Sequence, residues 1–541
     1  MILAERVMAL AEADPDRTAF RYRGLAGPTE VLSRRAVVER AGRAAARLRT
    51  AGVRTGDVVA LVLSEHSCQP VFFLACQLAG AVPAFLPPPS PKLDPAYQQE
   101  ALREMLRCSG CRLVVVTPGL DVSVPADAGT ATVLPCCDDG AADHGEPPGA
   151  VTGATPAPTA LLQFSSGTTG ARKGVRIGHR ALAAQLARLA QVLAADESDR
   201  LVSWLPVHHD MGLIACLLLP MAIGAGVTQV PTFDWLRRPR LLFEAATEDR
   251  CTLVYLPNFA FRHLARPQLV GDGDVCLDSL RAVVNCSERI DADAFDRLLE
   301  TWGRAGLRCD AMAASYALAE NVFAVTHTGP GRPPRRVVVD GDQVAVSSGT
   351  PIAGTSVRAV DPGDGRSLGE GEVGELRVRG DCLMDGYLAN PEATAAVLRD
   401  GEYATGDLGF LLDGEVFVRG RLSDRINVRG ANVHPEDVER AASVEGVHPG
   451  RVAAVGVWAP ATGTEVIAVL AEPTDAATDR GRLTDDIRRA LAARVAEPVG
   501  HVVVVDPGWL VKTTSGKLAR GACRTKAVGA GFLPANDGPT G

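Results

Sequence analysis

The stretch T-A-L-L-Q-F-S-S-G-T-T-G-A-R-K-G, residues 159–174, decides how this chain is read. Thr159 to Phe164 form an apolar run of strand length. There follow Ser165, Ser166, Gly167, Thr168, Thr169 and Gly170 and, after Ala171 and Arg172, Lys173. Glycines let a backbone turn tightly and present N–H groups to phosphate oxygens, hydroxyls donate further hydrogen bonds, and a lysine adds a point charge. The segment is not a Walker A loop, in which a Ser or Thr follows the lysine directly; here Gly174 follows Lys173. A helix is expected from about residue 179, with Leu182, Leu186, Leu189 and Leu193 on its buried face.

Strand and helix candidates alternate from there to about residue 330, which predicts an α/β fold with largely parallel sheets. Upstream, residues 4–12, 34–51 and 69–79 are helix candidates, and 58–63 and 113–117 are apolar strands. The run A-V-P-A-F-L-P-P-P-S-P-K, 81–92, has too many prolines for either element and reads as an ordered loop or extended segment. Residues 138–158 read as a loop. From about 345, short strands separated by Gly and Asp turns predict a β-rich subdomain. After about 430 the α/β pattern returns: a helix near 435–443, strands 452–458 and 466–472, a helix near 482–496 and a strand 501–506. We therefore expect a large N-terminal domain, 1–420, a hinge near 420–424, and a small mobile α+β domain, 421–541.

Composition narrows the function. A formal net charge of -8 on 541 residues argues against a nucleic-acid or anionic-membrane binder, although one local phosphate site remains compatible with it. The thirteen cysteines include one C-x2-C, Cys108 and Cys111, but no second pair to complete a zinc site. With no disulfide-like framework and an N-terminus unlike a signal peptide, a cytoplasmic protein is expected. The most apolar later run, Gly212 to Val227, is broken by Pro220 and is too short for a comfortable membrane span.

The loop at 165–174 resembles the signature of the adenylate-forming (ANL) superfamily, with Arg172 where an apolar residue is usual. The resemblance continues in order along nearly the whole chain. Ala314-Ser315-Tyr316-Ala317-Leu318-Ala319-Glu320 is similar to the segment whose Tyr stacks on adenine and whose Glu holds Mg²⁺, with Ala317 in place of a Gly. Thr405-Gly406-Asp407 is similar to the motif whose Asp accepts the ribose hydroxyls. Arg421 matches the arginine that reaches ribose or phosphate, and Ser423, two residues on, stands at the hinge position, where Asp or Lys is usual. Thr513-Thr514-Ser515-Gly516-Lys517-Leu518 matches the mobile catalytic lysine motif. The resemblance implies ATP and Mg²⁺ as cofactors, Lys517 as a catalytic residue, and Glu320 with Thr168 at the metal. It implies a nucleotide site of Ser165, Ser166, Gly167, Thr168, Thr169, Gly170, Lys173, Ser287, Ser315, Tyr316, Asp407 and Arg421.

Trp204-Leu205-Pro206-Val207-His208-His209-Asp210-Met211-Gly212-Leu213-Ile214 resembles the fatty acyl-AMP ligase branch, as do 257–261, 285–288 and 429–437. By that resemblance His209 lines the acyl pocket beside the reacting carboxylate, and the acyl group passes to a carrier protein. His208 is unassigned. As adjacent residues on a strand the two histidines face opposite ways, so a shared metal is not expected. That branch carries an insertion after the Glu320 motif, and Val339 to Gly349 looks clipped by comparison. Three alternatives stay open: an acyl-CoA synthetase, a specialised adenylate former acting on an aryl or amino acid or on nitrite in diazo formation, and a catalytically silent nucleotide-binding scaffold. The identity of the acid is not legible.

Overall fold

The computed structural model describes residues 2–64, 66–89, 95–120, 122, 132–136, 157–164, 173–271, 275–286, 289–339, 343–428, 431–459, 464–513 and 517–534. The expected loop at 138–158, apart from its last two residues, lies outside the described residues, as does the Gly-rich segment 165–172.

Two large sheets dominate the N-terminal part. One runs in the order Thr350–Pro351, Ala324–His327, Met312–Ala317, Ala282–Cys286, Leu253–Leu256, Arg200–Ser203, Gly226–Gln229, Thr18–Gly24, Gly27–Ser33. The other runs Gly386–Tyr387, Gly174–Gly178, Thr159–Phe164, Val82–Phe85, Val58–Val62, Leu113–Val116, Thr132–Pro135. Their central strands are parallel and their edges antiparallel, except at Thr132–Pro135, which pairs parallel with Leu113–Val116. Every residue of Leu253–Leu256 and Ala282–Cys286 is buried, as expected of parallel strands covered on both faces. Helix His179–Leu193 buries the four leucines expected of it.

Two expectations are corrected here. Between the Gly-rich segment and the helix stands a further strand, Gly174–Gly178, antiparallel to Thr159–Phe164. The phosphate-loop candidate therefore joins two antiparallel strands rather than a strand and a helix; five residues with only Val175 and Ile177 as large apolar groups gave little sign of it. The proline-rich run also holds a buried strand, Val82–Phe85. Pro83 lacks an N–H. The strand accordingly pairs along its length with Val58–Val62 but with Thr159–Phe164 only through Ala84 and Leu162. Helices Pro95–Ser109 and Arg520–Gly529 were not anticipated.

The β-rich part is a five-stranded sheet built on Glu402–Leu412, flanked by Gly374–Gly380 and Glu415–Arg421. Beyond it the chain starts new cores. One begins at Ile426 and packs helices Pro435–Ala442 and Arg480–Arg494 on the three-stranded sheet of Val447–Ala459, Thr464–Pro473 and Val499–Val504. A second fills the opposite face of that sheet with helix Arg520–Gly529. The main N-terminal core reaches no further than Val418. Among the described residues, no helix is long and apolar enough to cross a membrane.

Candidate active site

A single cleft of about 3180 Å³ runs between the large sheets, the β-rich sheet and the C-terminal unit. It gathers Lys173, His208, His209, Asp210, Ser315, Tyr316, Glu320, Tyr387, Asp407, Arg421, Ser423 and Lys517 on one surface. Ser165, Ser166, Gly167, Thr168, Thr169, Gly170 and Ser287 lie outside the described residues.

Asp407 stands near the middle of Glu402–Leu412. The preceding Gly406 has φ +68°, and the register slips between Glu375 and Arg377 on the neighbouring strand. A bulge with glycine in the left-handed region re-aims the side chain that follows it. The carboxylate is buried, and both oxygens are engaged: Tyr316 donates its hydroxyl at 2.6 Å, and Arg421, its cross-strand partner, donates Nε at 2.9 Å. Burial beside this carboxylate pushes the Tyr316 phenol well above its ordinary pKa, so it stays protonated as a donor. Ser315 lines the cleft with its hydroxyl already committed to the Thr326 carbonyl at 2.8 Å.

Glu320 sits in the one-turn helix Ala319–Asn321. The chain leaves it through Val322 at φ +63°, ψ -55°, closed by a hydrogen bond from Phe323 N–H to the Asn321 carbonyl at 2.7 Å. This is a γ-turn, strained for a β-branched residue. It is held by Gln163, which donates to the Val322 carbonyl, by Asn321, which donates to Ala324, and by Met384 N–H on the Glu320 carbonyl. The Glu320 carboxylate accepts from Tyr387 at 2.9 Å. Burial raises its pKa above the glutamate value of 4.5, and the Tyr387 hydroxyl and the Arg421 charge offset this only in part. Lys173 Nζ lies 4.8 Å from the centre of the Tyr387 ring, within cation–π range.

His208 and His209 correct a further expectation. They lie in a turn rather than a strand, and their rings sit 4.4 Å apart. Opposed strand faces therefore do not separate them. Among the described residues, however, no group of three or more His, Cys, Asp or Glu is placed to hold a metal. The turn leads into a π-helix, Met211–Leu218, whose first N–H is capped by Asp210 at 2.8 Å. π-helical turns recur at functional sites. Gly212 makes this one possible: a Cβ there would lie 2.1 Å from the Pro206 carbonyl oxygen. Beyond the histidines the wall is apolar and aromatic, with Trp204 stacked on Trp235 at 3.8 Å and Phe259 edge-on to both.

Lys517 reaches the cleft from the C-terminal unit, beside the Lys512–Leu518 bridge, and its carbonyl accepts from Thr513 N–H at 2.8 Å. It is near enough to Asp210 to pull that carboxyl down against the upward push of burial. Sequence reasoning missed Asp210 and Tyr387. Asp210 stood in a quoted motif without a role, and nothing in D-G-Y-L, residues 385–388, marks Tyr387 as chemical.

The family model for AMP-binding enzymes matches residues 8–388. A Caulobacter vibrioides protein named as an acyl-CoA synthetase is 31% identical over 510 residues, covering 89% of this chain and 87% of its own. The long-chain-fatty-acid–AMP ligase FadD32 of Mycolicibacterium smegmatis is 33% identical over 428 residues, 68% of each chain. Among solved structures, a fatty acyl-adenylate ligase from a study of the E. coli and L. pneumophila enzymes superposes with a TM-score of 0.86 over 98% of both chains, at 23% identity. That likeness shows the shared fold. A family match spanning most of the chain, and relatives above 30% identity over two thirds of it or more, make this protein an enzyme of the AMP-binding, adenylate-forming family.

Proposed function

We propose that this enzyme uses ATP to activate an organic acid as its acyl-adenylate and then passes the acyl group to the phosphopantetheine thiol of a carrier protein. A carboxylate oxygen attacks the α-phosphorus, the bond to the β-phosphate oxygen breaks, and pyrophosphate leaves. The thiolate then attacks the acyl carbon, and AMP leaves. The observation that carries this reading is the convergence of Lys517, from the C-terminal unit, on the cleft that holds Glu320, Asp407 and Arg421.

The first step brings anions together, so positioning and charge neutralisation supply most of the catalysis. In this reading Tyr316 packs against adenine, while Asp407, steadied by Arg421, accepts from ribose. Lys173 and the 165–170 loop hold the leaving phosphates. Lys517 neutralises charge between the carboxylate and the α-phosphate, and His209 lines the acid side. The aromatic wall of Trp204 and Phe259 offers apolar area to the organic part of the acid.

The enclosed carboxylate of Glu320 suits Mg²⁺, which binds through one or two carboxylates and the substrate's phosphates rather than in an all-protein cage. Thr168 is its expected companion. Bound there, Mg²⁺ would neutralise phosphate charge.

The separate cores before Val418 and after Ile426 support domains of 1–420 and 421–541 turning about Ser423, which sits in the short helix Leu422–Asp424. Such motion lets Lys517 leave and the acceptor enter.

A carrier protein is favoured over free CoA because the basic cluster of Arg332, Arg335 and Arg336 is already ion-paired. Arg332 pairs with Glu415, Arg335 with Asp413, and Arg336 with Asp296. CoA's phosphorylated nucleotide needs free cations. The acyl-CoA synthetase name of the Caulobacter relative supports the second reading, direct transfer to CoA. We place the reaction in the cytoplasm, in keeping with the free thiols of all the described cysteines. The test is acid-dependent ATP–pyrophosphate exchange, followed by presentation of the preformed adenylate to CoA and to a pantetheinylated carrier. Saturable acyl-CoA formation at micromolar CoA would overturn the carrier assignment, and absence of exchange with every acid would overturn adenylation.

A further inference from the structure

Asp437 joins the two units. It lies in the first turn of helix Pro435–Ala442, in the C-terminal unit, and is only 18% exposed. Its Oδ1 accepts from Arg289 Nη1 at 2.7 Å, and its Oδ2 lies 3.9 Å from Arg419 Nη2. Both arginines belong to the other unit and are themselves enclosed, at 10% and 2% exposure. Arg440, one turn along the same helix, adds a contact at 3.0 Å. Burial pushes the Asp437 carboxyl up, but Arg289, Arg440 and Arg419 outweigh it and leave the group below its ordinary value of 3.8.

Neither arginine is a loose surface side chain. Arg289 follows the strand Ala282–Cys286, and its carbonyl accepts from Asn258 at 2.6 Å. Asn258 in turn accepts from Asn285 at 2.8 Å. Arg419 is built into the strand Glu415–Arg421. The contact exists only while the C-terminal unit is docked: turning it away gives up the charge-assisted Arg289–Asp437 hydrogen bond and the Arg419 contact.

The same helix holds the loop of Lys517. Arg520, three residues beyond that lysine, binds Glu439 through Nε at 2.7 Å and Nη2 at 2.8 Å, and Glu436 at 3.0 Å. It also reaches Asp424, beside Ser423, at 2.8 Å. The helix thus carries two sets of ion pairs: Asp437 with Arg289 and Arg419 of the other unit, and Glu436 and Glu439 with Arg520, three residues beyond Lys517.

We infer that Asp437 is a positioning residue: clasped by Arg289 and Arg419, it holds the C-terminal unit in the orientation that puts Lys517 into the cleft. This rests on the adenylation reading above. It gives the chain a restraint in the adenylating orientation. Acyl transfer requires the clasp to open.

The test uses full-length protein bearing Asp437→Asn, Arg289→Gln or the charge-keeping Asp437→Glu. Exchange is followed with dodecanoate, transfer with dodecanoyl-adenylate and pantetheine, and hinge exposure by trypsin cleavage after Arg421 or Arg425 without substrate. Asp437→Asn and Arg289→Gln should lower exchange about tenfold, in the range of ordinary coupling between sites. They should leave transfer equal or faster and speed hinge cleavage several-fold. Asp437→Glu should restore most of the exchange. Parallel loss of both half-reactions, or unchanged exchange and cleavage, would overturn the clasp. Wild-type protein silent in exchange, with cleavage still accelerated by Asp437→Asn, would support the clasp and count against the adenylation reading instead.

Discussion

The hydroxyl of Tyr387 donates to Glu320 at 2.9 Å while the ring of the same tyrosine lies 4.8 Å from Lys173 Nζ. One side chain thus orients both the expected metal ligand and the expected phosphate lysine. Tyr387→Phe keeps the ring and removes the donor. Groups that orient a metal ligand are typically worth about 10- to 100-fold in metal affinity. The half-saturating Mg²⁺ in pyrophosphate exchange should therefore rise about tenfold, while that for the acid stays put. An unaltered Mg²⁺ titration would remove Tyr387 from the site.

Lys517→Ala should cut adenylate formation by about 100-fold or more, the loss expected when a preorganised charge is withdrawn from a developing anion. ATP binding, measured by calorimetry, should change little. Near-wild-type exchange in the variant would end the assignment.

The acid limb of the exchange profile follows from two raised carboxyls. Burial lifts Asp210 above 3.8 and Glu320 above 4.5. A raised pKa means that protonation occurs at higher pH, and a protonated Glu320 is a poor ligand. Activity should fall with decreasing pH as Glu320 takes up its proton. Because the Tyr387 hydroxyl holds the Glu320 value down, Tyr387→Phe should move the limb to higher pH. A shift the other way would contradict the hydrogen bond's role.

Gly212→Ala tests the packing of the histidine turn. The new methyl would meet the Pro206 carbonyl at 2.1 Å, a backbone atom that cannot swing aside. Overpacking of this kind costs about 1–3 kcal/mol. The thermal midpoint should drop, and acid-dependent exchange should drop with it because His209 and Asp210 are carried by the same turn. A neutral variant would show that the turn relaxes freely.

Much of this was legible in the sequence where chemistry is written locally. The leucines of His179–Leu193, the strand at 159–164 and the separate texture beyond 430 rest on periodicity and composition, which neighbours in sequence determine. Glu320, Asp407, Arg421 and Lys517 were found by motif, and the fold brings all four to one cleft. Features that depend on partners distant in sequence stayed hidden. The strand Gly174–Gly178 is defined by its pairing with 159–164, Pro83 is tolerated through an uneven ladder, and Tyr387 owes its place to residues 67 positions away. Adjacent histidines were misread because their spacing implies opposed faces only on a strand, and here the backbone turns.

The bulge at Gly406 aims Asp407 at two donors, Tyr316 on one oxygen and Arg421 on the other, and each oxygen keeps one lone pair to spare. On the reading proposed above, a ribose would find its acceptor fixed in direction before it arrives. The entropy of ordering that side chain is then met in folding rather than in binding.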